Sequence, residues 1–102
     1  MILANKTEFW NSSEAVEQYS ADSWYHVLLR GERLAFESCF QEGLRGRRIL
    51  DLDCGAGRTT HFLHEMGANV VGVDISWKLI RVAQQHAPQI DFREGNAESL
   101  DF

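Results

Sequence analysis

Apolar residues recur at helical spacing in the first part of the chain and gather into short runs in the second. Over residues 9–20, Ala15, Val16 and Tyr19 share a helical face, with Ser12 or Ser13 placed to cap its start. Over residues 23–42, Leu28, Ala35, Phe36, Cys39 and Phe40 share a second face, and Gly43 and Gly46 mark its end. The period then changes. Arg48 to Leu52 reads as a strand, and residues 57–66 as a helix with Phe62, Leu63 and Met66 facing inward and Gly67 closing it. Residues 69–73 are apolar on both faces, which is what a buried parallel strand needs. Residues 76–86 predict a helix whose stripe of Leu79, Ile80, Ala83 and Ala87 opposes Lys78, Arg81, Gln84 and Gln85, with Pro88 as its stop. A third strand over about 90–93 leads into Gly95-Asn96-Ala97. Strands alternating with helices through short links predict an α/β fold with right-handed crossovers and a parallel sheet.

Composition narrows the classes without choosing one. The chain has 102 residues, room for one small domain, and is 44 % hydrophobic and 25 % charged, as a globular protein is. A net charge of −5 with no basic run argues against a general nucleic-acid binder. No apolar stretch is long enough to span a bilayer, and Met1-Ile-Leu-Ala-Asn-Lys lacks the charged-then-apolar layout of a secretory signal, so the expected location is cytoplasmic. Cys39 and Cys54 form no pair pattern and read as reduced, half-buried thiols.

The chemistry concentrates around the first two strands. The first runs into Asp51-Leu52-Asp53-Cys54-Gly55-Ala56-Gly57, and the second ends at Asp74, seventeen residues past Gly57. Strand, glycine turn, helix, strand and acid are the layout of a nucleoside-binding crevice. Glycine lets the backbone approach a ligand closely, and an acid after the second strand can accept hydrogen bonds from both ribose hydroxyls. Gly55-x-Gly57-x-x-Thr60 nearly fits the dinucleotide pattern too, but Thr60 replaces the glycine used there for close helix packing. Asp51 also suits a ligand carrying an ammonium better than one carrying a pyrophosphate. His61 and His64 stand one helical turn apart without a third ligand at metal-site spacing, so no metal is expected. Cys54 has no histidine tied to it by sequence and reads as a small packing residue rather than a nucleophile. Trp10, Trp24 and Tyr25 read as core or interface aromatics before acceptor-pocket walls.

Ile49-Leu-Asp-Leu-Asp-Cys-Gly-Ala-Gly-Arg-Thr59 resembles the first motif of class I S-adenosylmethionine-dependent methyltransferases. Val71-Gly-Val-Asp-Ile-Ser76 resembles their second motif, and Phe92 to Phe102 their third. The segment Phe9 to Tyr19 is similar to the N-terminal helix that covers the cofactor in the small-molecule, ubiquinone-biosynthesis-like branch. The resemblance implies a Rossmann-like three-layer sandwich with a parallel sheet, its first three strands in the order 3-2-1, behind two N-terminal helices. Residues 1–46 would form the helical cap and 47–102 the first half of the cofactor-binding domain. The implied cofactor is S-adenosylmethionine and the implied acceptor a small molecule.

The roles it implies fall on named residues. Asp51 would lie near the methionine ammonium, through water. Asp53 and Cys54 would line the turn, and Gly55 and Gly57 would let it pass beneath the methionine and ribose. Asp74 would hold the ribose hydroxyls, with Ile75 packed on the adenine. Asn96 and Ala97 would meet the adenine edge, and Tyr19 would lid the methionine end. No catalytic residue is assigned.

Two departures stand out. Asp53 occupies the place of the motif's first glycine, where a positive φ costs a non-glycine residue about 1–2 kcal/mol. Its charge would face the cofactor's carboxylate, a repulsion of about 1 kcal/mol at ~4 Å in water and ~4 kcal/mol at an effective dielectric near 20, so weakened cofactor binding is expected. Asn96 replaces the commoner aspartate but can still accept a hydrogen bond. The family's sheet has seven strands, so this chain reads as truncated, with its first strand left as an apolar edge. That edge is expected to recruit a second copy in a homodimer, or a companion chain. Two rival readings stay open: a non-catalytic module that binds nucleoside weakly or only assembles with a partner, and an NAD(P)-binding oxidoreductase fragment.

Overall fold

A computed structural model describes residues 3–18 and 30–99, and in it the three expected strands form one parallel sheet. They are β1 (Arg48–Leu52), β2 (Asn69–Asp74) and β3 (Asp91–Glu94), with β2 in the middle. The register pairs Ile49 with Val70 and Gly72 with Phe92, and offset by one residue, Leu50 with Val71. Paired residues in parallel strands point to the same side. Ile49, Val70 and Phe92 therefore face one way, and Leu50 and Leu52 the other.

Helices α4 (Arg58–Glu65) and α5 (Trp77–His86) cover the first of these faces. Leu63 from α4 and Ile80 and Ala83 from α5 join Val70, Ile90 and Phe92 in the core, with Phe62 and Met66 packed at its margin. Each large side chain withdrawn from water here contributes about 1.5–3 kcal/mol. The predicted stripe of α5 is buried in full: Leu79, Ile80, Ala83 and Ala87 are all under 5 % exposed. Its start is fixed by Ser76, whose side chain accepts the Leu79 N–H, and it ends at His86, ahead of Pro88.

Phe92 decides where two glycines must stand. A methyl group on Gly57 would lie 2.6 Å from the Phe92 ring, and one on Gly72 would lie 2.7 Å from it. Neither distance is tolerated between carbon atoms, so the ring sits in the space that two missing side chains leave.

The N-terminal part differs from expectation in its breaks. Helix α1 (Leu3–Trp10) precedes a turn at Asn11 and Ser12, and residues 13–18 form a second helix, α2. The sequence pattern merged part of both into one helix over 9–20. The turn separates them because Ser12 caps α2, accepting the Ala15 N–H at 3.2 Å while its hydroxyl donates to Phe9 O at 2.6 Å. Helix α3 (Arg30–Cys39) falls inside the expected 23–42; residues 19–29, with Tyr19, Trp24, Tyr25 and Leu28, lie outside the described ones. Among the described residues of its expected stripe, Phe36 and Phe40 reach the core margin, Phe36 meeting the Phe62 ring at 5.7 Å. Ala35 and Cys39 are exposed, so Cys39 is a surface thiol rather than a half-buried one. Leu44, between two glycines read only as punctuation, is 1 % exposed and belongs to the core.

Candidate functional site

The carboxyl ends of β1 and β2 meet the glycine turn, and Asp74 organises the junction. One carboxylate oxygen accepts the Gly55 N–H and the other the Ser76 N–H, both at 2.8 Å. Its backbone carbonyl accepts the Gly95 N–H at 3.0 Å, which ties the end of β3 to the same point. Cys54 N–H donates to Val73 O at 3.1 Å, so the turn lies against β2. Asp74 is 8 % exposed. A carboxylate offers about four lone-pair positions, and these two backbone donors use two of them. The others are free to accept from paired hydroxyls.

Asp51 stands at the end of β1 and accepts the Thr60 hydroxyl at 2.7 Å. Burial pushes its carboxyl above the ordinary carboxylate value; the Thr60 hydrogen bond opposes this, while the charges of Asp53 and Asp74 add to it. Three acids thus share one end of the sheet. The field there is negative and favours a cationic ligand. Burial also raises the Cys54 thiol far above its usual range, with Asp74 and Asp51 adding to the shift. A thiol held neutral in this way is no nucleophile, in keeping with a packing role.

The turn itself carries strain. Asp53 has φ 57, the left-handed region, and among the described residues it is the only non-glycine there. The positive φ that the motif's missing glycine implied is therefore present. Gly55 (φ 59) faces open space, with nothing within 4 Å of a notional Cβ, whereas Gly57 is closed off by Phe92. Gly55 is the position where a ligand can approach the backbone, and Gly57 serves helix-to-sheet packing. No side chain caps the first turn of α4, whose N-cap residue is Gly57.

Ile75 follows Asp74 and is half-buried. Asn96 and Ala97 are exposed beyond β3. The Asn96 side-chain oxygen accepts the Glu98 N–H at 2.9 Å, closing a local turn, and keeps one lone pair free. Tyr19 lies outside the described residues. The structure thus brings Asp51, Asp53, Cys54, Gly55, Asp74 and Ile75 around one junction and leaves Asn96 and Ala97 at its rim.

Sequence reasoning missed three groups. Thr60, noted only as a departure from a dinucleotide pattern, is fully buried and orients Asp51. Ser76 carried a signal, a serine directly before an apolar helical stripe, but its outward partners carried none. Its hydroxyl lies 2.7 Å from Trp10 O and 2.9 Å from Asn11 Oδ1. Arg58, directly after the glycine turn, makes a two-pronged ion pair with Glu32 of α3 at 3.0 and 3.1 Å. His61 Nε2 lies 3.3 Å from Glu65 Oε1, while His64 lines a shallow groove at the opposite end of the strands with Arg48, Leu50 and Gln89.

Residues 49–102 match the family model described as a methyltransferase domain. A ubiquinone biosynthesis O-methyltransferase of Azorhizobium caulinodans is 48 % identical over 61 residues, covering 56 % of this chain and 24 % of that protein. The crystal structure of an S-adenosylmethionine dependent methyltransferase from Mesorhizobium loti aligns at TM-score 0.53 and 35 % identity, over 56 % of this chain and 28 % of that one. The magnesium protoporphyrin IX methyltransferase of Synechocystis, solved with bound SAH, aligns at TM-score 0.77 over 98 % of this chain and 54 % of that one; at 21 % identity it speaks for the fold. The match spans about a quarter of the length of the curated relatives. No helix among the described residues is long and apolar enough to cross a membrane.

Proposed function

This chain belongs to the methyltransferase-domain family, and from that premise we propose that the junction around Asp74 binds S-adenosylmethionine for transfer of its methyl group to a small-molecule acceptor. The observation that carries the reading is the Asp74 carboxylate, nearly buried, pinned by two backbone N–H groups and left with free lone pairs beside an open Gly55. A rigid, partly satisfied carboxylate is suited to a vicinal diol. Asp51 supplies negative potential for the cofactor's cationic centres, and the uncapped start of α4 offers N–H groups and a positive dipole end to its carboxylate. Ile75 gives the adenine an apolar surface, with Asn96 and Ala97 at its edge.

When bound, S-adenosylmethionine supplies an electrophilic methyl group on a sulfonium, open to in-line displacement. The chain's own contribution is placement and exclusion of water. Relatives named ubiquinone biosynthesis O-methyltransferases support a small acceptor that attacks the methyl group through oxygen. The outer edge of β1, unpaired among the described residues, takes a further strand from a second copy or a companion chain. One observation favours a second reading, a non-catalytic module that binds nucleoside weakly: a third carboxylate, Asp53, stands on a strained turn of the crevice, where its charge would repel the cofactor's own carboxylate.

Calorimetry of the chain with S-adenosylhomocysteine tests the reading. Asp74→Ala is expected to weaken binding by at least tenfold, since a charged acceptor contributes about 1.5–3 kcal/mol. Asp53→Gly is expected to tighten it. Binding of a nicotinamide dinucleotide in preference to S-adenosylhomocysteine, or an unaltered affinity in Asp74→Ala, would overturn the assignment. Binding with no methyl transfer to any hydroxyl-bearing small acceptor would leave the second reading in place.

A further inference from the structure

Asp74 is one station in a line of hydrogen bonds that leaves the crevice and ends on the N-terminal helices. Gly55 N–H and Ser76 N–H both donate to its carboxylate. The Ser76 hydroxyl accepts the Leu79 N–H and turns its single proton toward Trp10 O and Asn11 Oδ1. Asn11 Oδ1 also accepts the Lys78 N–H at 3.3 Å, and Asn11 Nδ2 donates to Thr7 O at 3.2 Å. The side chain of Asn11 therefore joins the end of α1 to the first turn of α5. Ser76 is fully buried, so water does not compete for these bonds. Ser76 alone suffices to cap α5. The second acceptor comes from 65 residues earlier in the chain and serves something beyond the cap.

We propose that Asn11 and Ser76 are positioning residues that couple the seat of the α1–α2 junction to the grip of Asp74 on ribose. The proposal rests on the reading of Asp74 as the ribose acid. Ribose drawing on the Asp74 carboxylate fixes its orientation, and with it the Ser76 backbone whose side chain holds Trp10 and Asn11. Seating the N-terminal segment fixes Ser76, and so holds Asp74 in the orientation that accepts both hydroxyls. Coupling of this kind is reciprocal: whatever the segment adds to nucleoside affinity, the nucleoside returns as protection of the segment.

The test uses the whole chain with S-adenosylhomocysteine, adenosine and 2′,3′-dideoxyadenosine as probes. The variants are Asn11→Ala, Ser76→Ala and Ser76→Thr. Asn11→Ala is expected to weaken S-adenosylhomocysteine about 5- to 10-fold, within the usual range of coupling between sites. It should lower adenosine affinity while sparing dideoxyadenosine, so the preference for ribose hydroxyls falls. The ligand should protect amides 7–12 from hydrogen exchange in the parent chain and in Ser76→Thr, which keeps the hydroxyl, but not in Ser76→Ala. Equal losses for adenosine and dideoxyadenosine would show a merely structural role and overturn the proposal. So would an unchanged preference in Asn11→Ala while Asp74→Ala still weakens binding at least tenfold; in that case the ribose reading stands and the coupling falls. A parent chain that binds none of the three removes both.

Discussion

Asp51 and Asp74 are both strand-end aspartates, yet their surroundings set them apart. Asp74 receives two backbone N–H donors, while at Asp51 burial and the neighbouring charges of Asp53 and Asp74 outweigh a single hydroxyl donor, Thr60. Asp51 consequently holds its proton above the ordinary value of 3.8. Its folded form is the stronger proton binder, so its contribution favours the fold at low pH and is lost as pH rises through its raised titration. A cationic ligand reverses the preference, because it rewards the ionised carboxylate. Affinity for S-adenosylmethionine is therefore expected to increase as pH climbs through a window above 3.8, with release of a proton on binding. Calorimetry in buffers of different ionisation enthalpy reads that proton. Asp51→Asn should flatten the profile and weaken binding about tenfold, while raising the urea midpoint of the free chain at neutral pH. A profile that keeps its slope in Asp51→Asn would assign the proton to another group.

At the level of elements, the site depends on how closely the glycine turn, α5 and the sheet approach one another around Phe92. Gly72 lies within β2, not in the left-handed region, so a substitution there tests space alone. The added methyl of Gly72→Ala would meet the Phe92 ring at 2.7 Å and Cys54 Sγ at 3.0 Å. Overpacking of this kind costs about 1–3 kcal/mol. The expected result is a lower urea midpoint with an unchanged slope, part of which Phe92→Leu restores in the double variant. Full additivity of the two substitutions would show that the ring is not the obstacle. Gly57→Ala combines the same ring with φ 92 and should be the more damaging change.

Across the whole molecule, the described part of the N-terminal helices meets the sheet domain at named side chains. Glu32–Arg58 and Asn11–Ser76 anchor them to the starts of α4 and α5, the two helices that follow the turn and the ribose acid. Among the described residues β1 is an edge strand, and its Leu50 and Leu52, on the face away from α4 and α5, are each 43 % exposed. A sheet edge with apolar side chains is a template for another strand. Self-association of this chain is expected to grow with concentration in light scattering, and Leu52→Lys should shift it toward monomer. A monomer over the full accessible concentration range would exclude a second copy as the occupant.

The sequence by itself determined the three parallel strands, the buried stripe of α5 and the junction of turn and acid. All of these follow from local periodicity, glycine placement and a carboxylate at each strand end, and each is written within a few neighbouring residues. It also announced Asp53 as a departure, because a missing glycine is visible without coordinates. Tertiary structure decided what periodicity does not encode: that Gly57 and Gly72 make room for the same ring, that Thr60 orients Asp51, that Ala35 and Cys39 face water, and that Asn11 reaches the start of α5. Those outcomes depend on side chains meeting across tens of residues. Distance along the chain carries no record of such meetings until the backbone has folded.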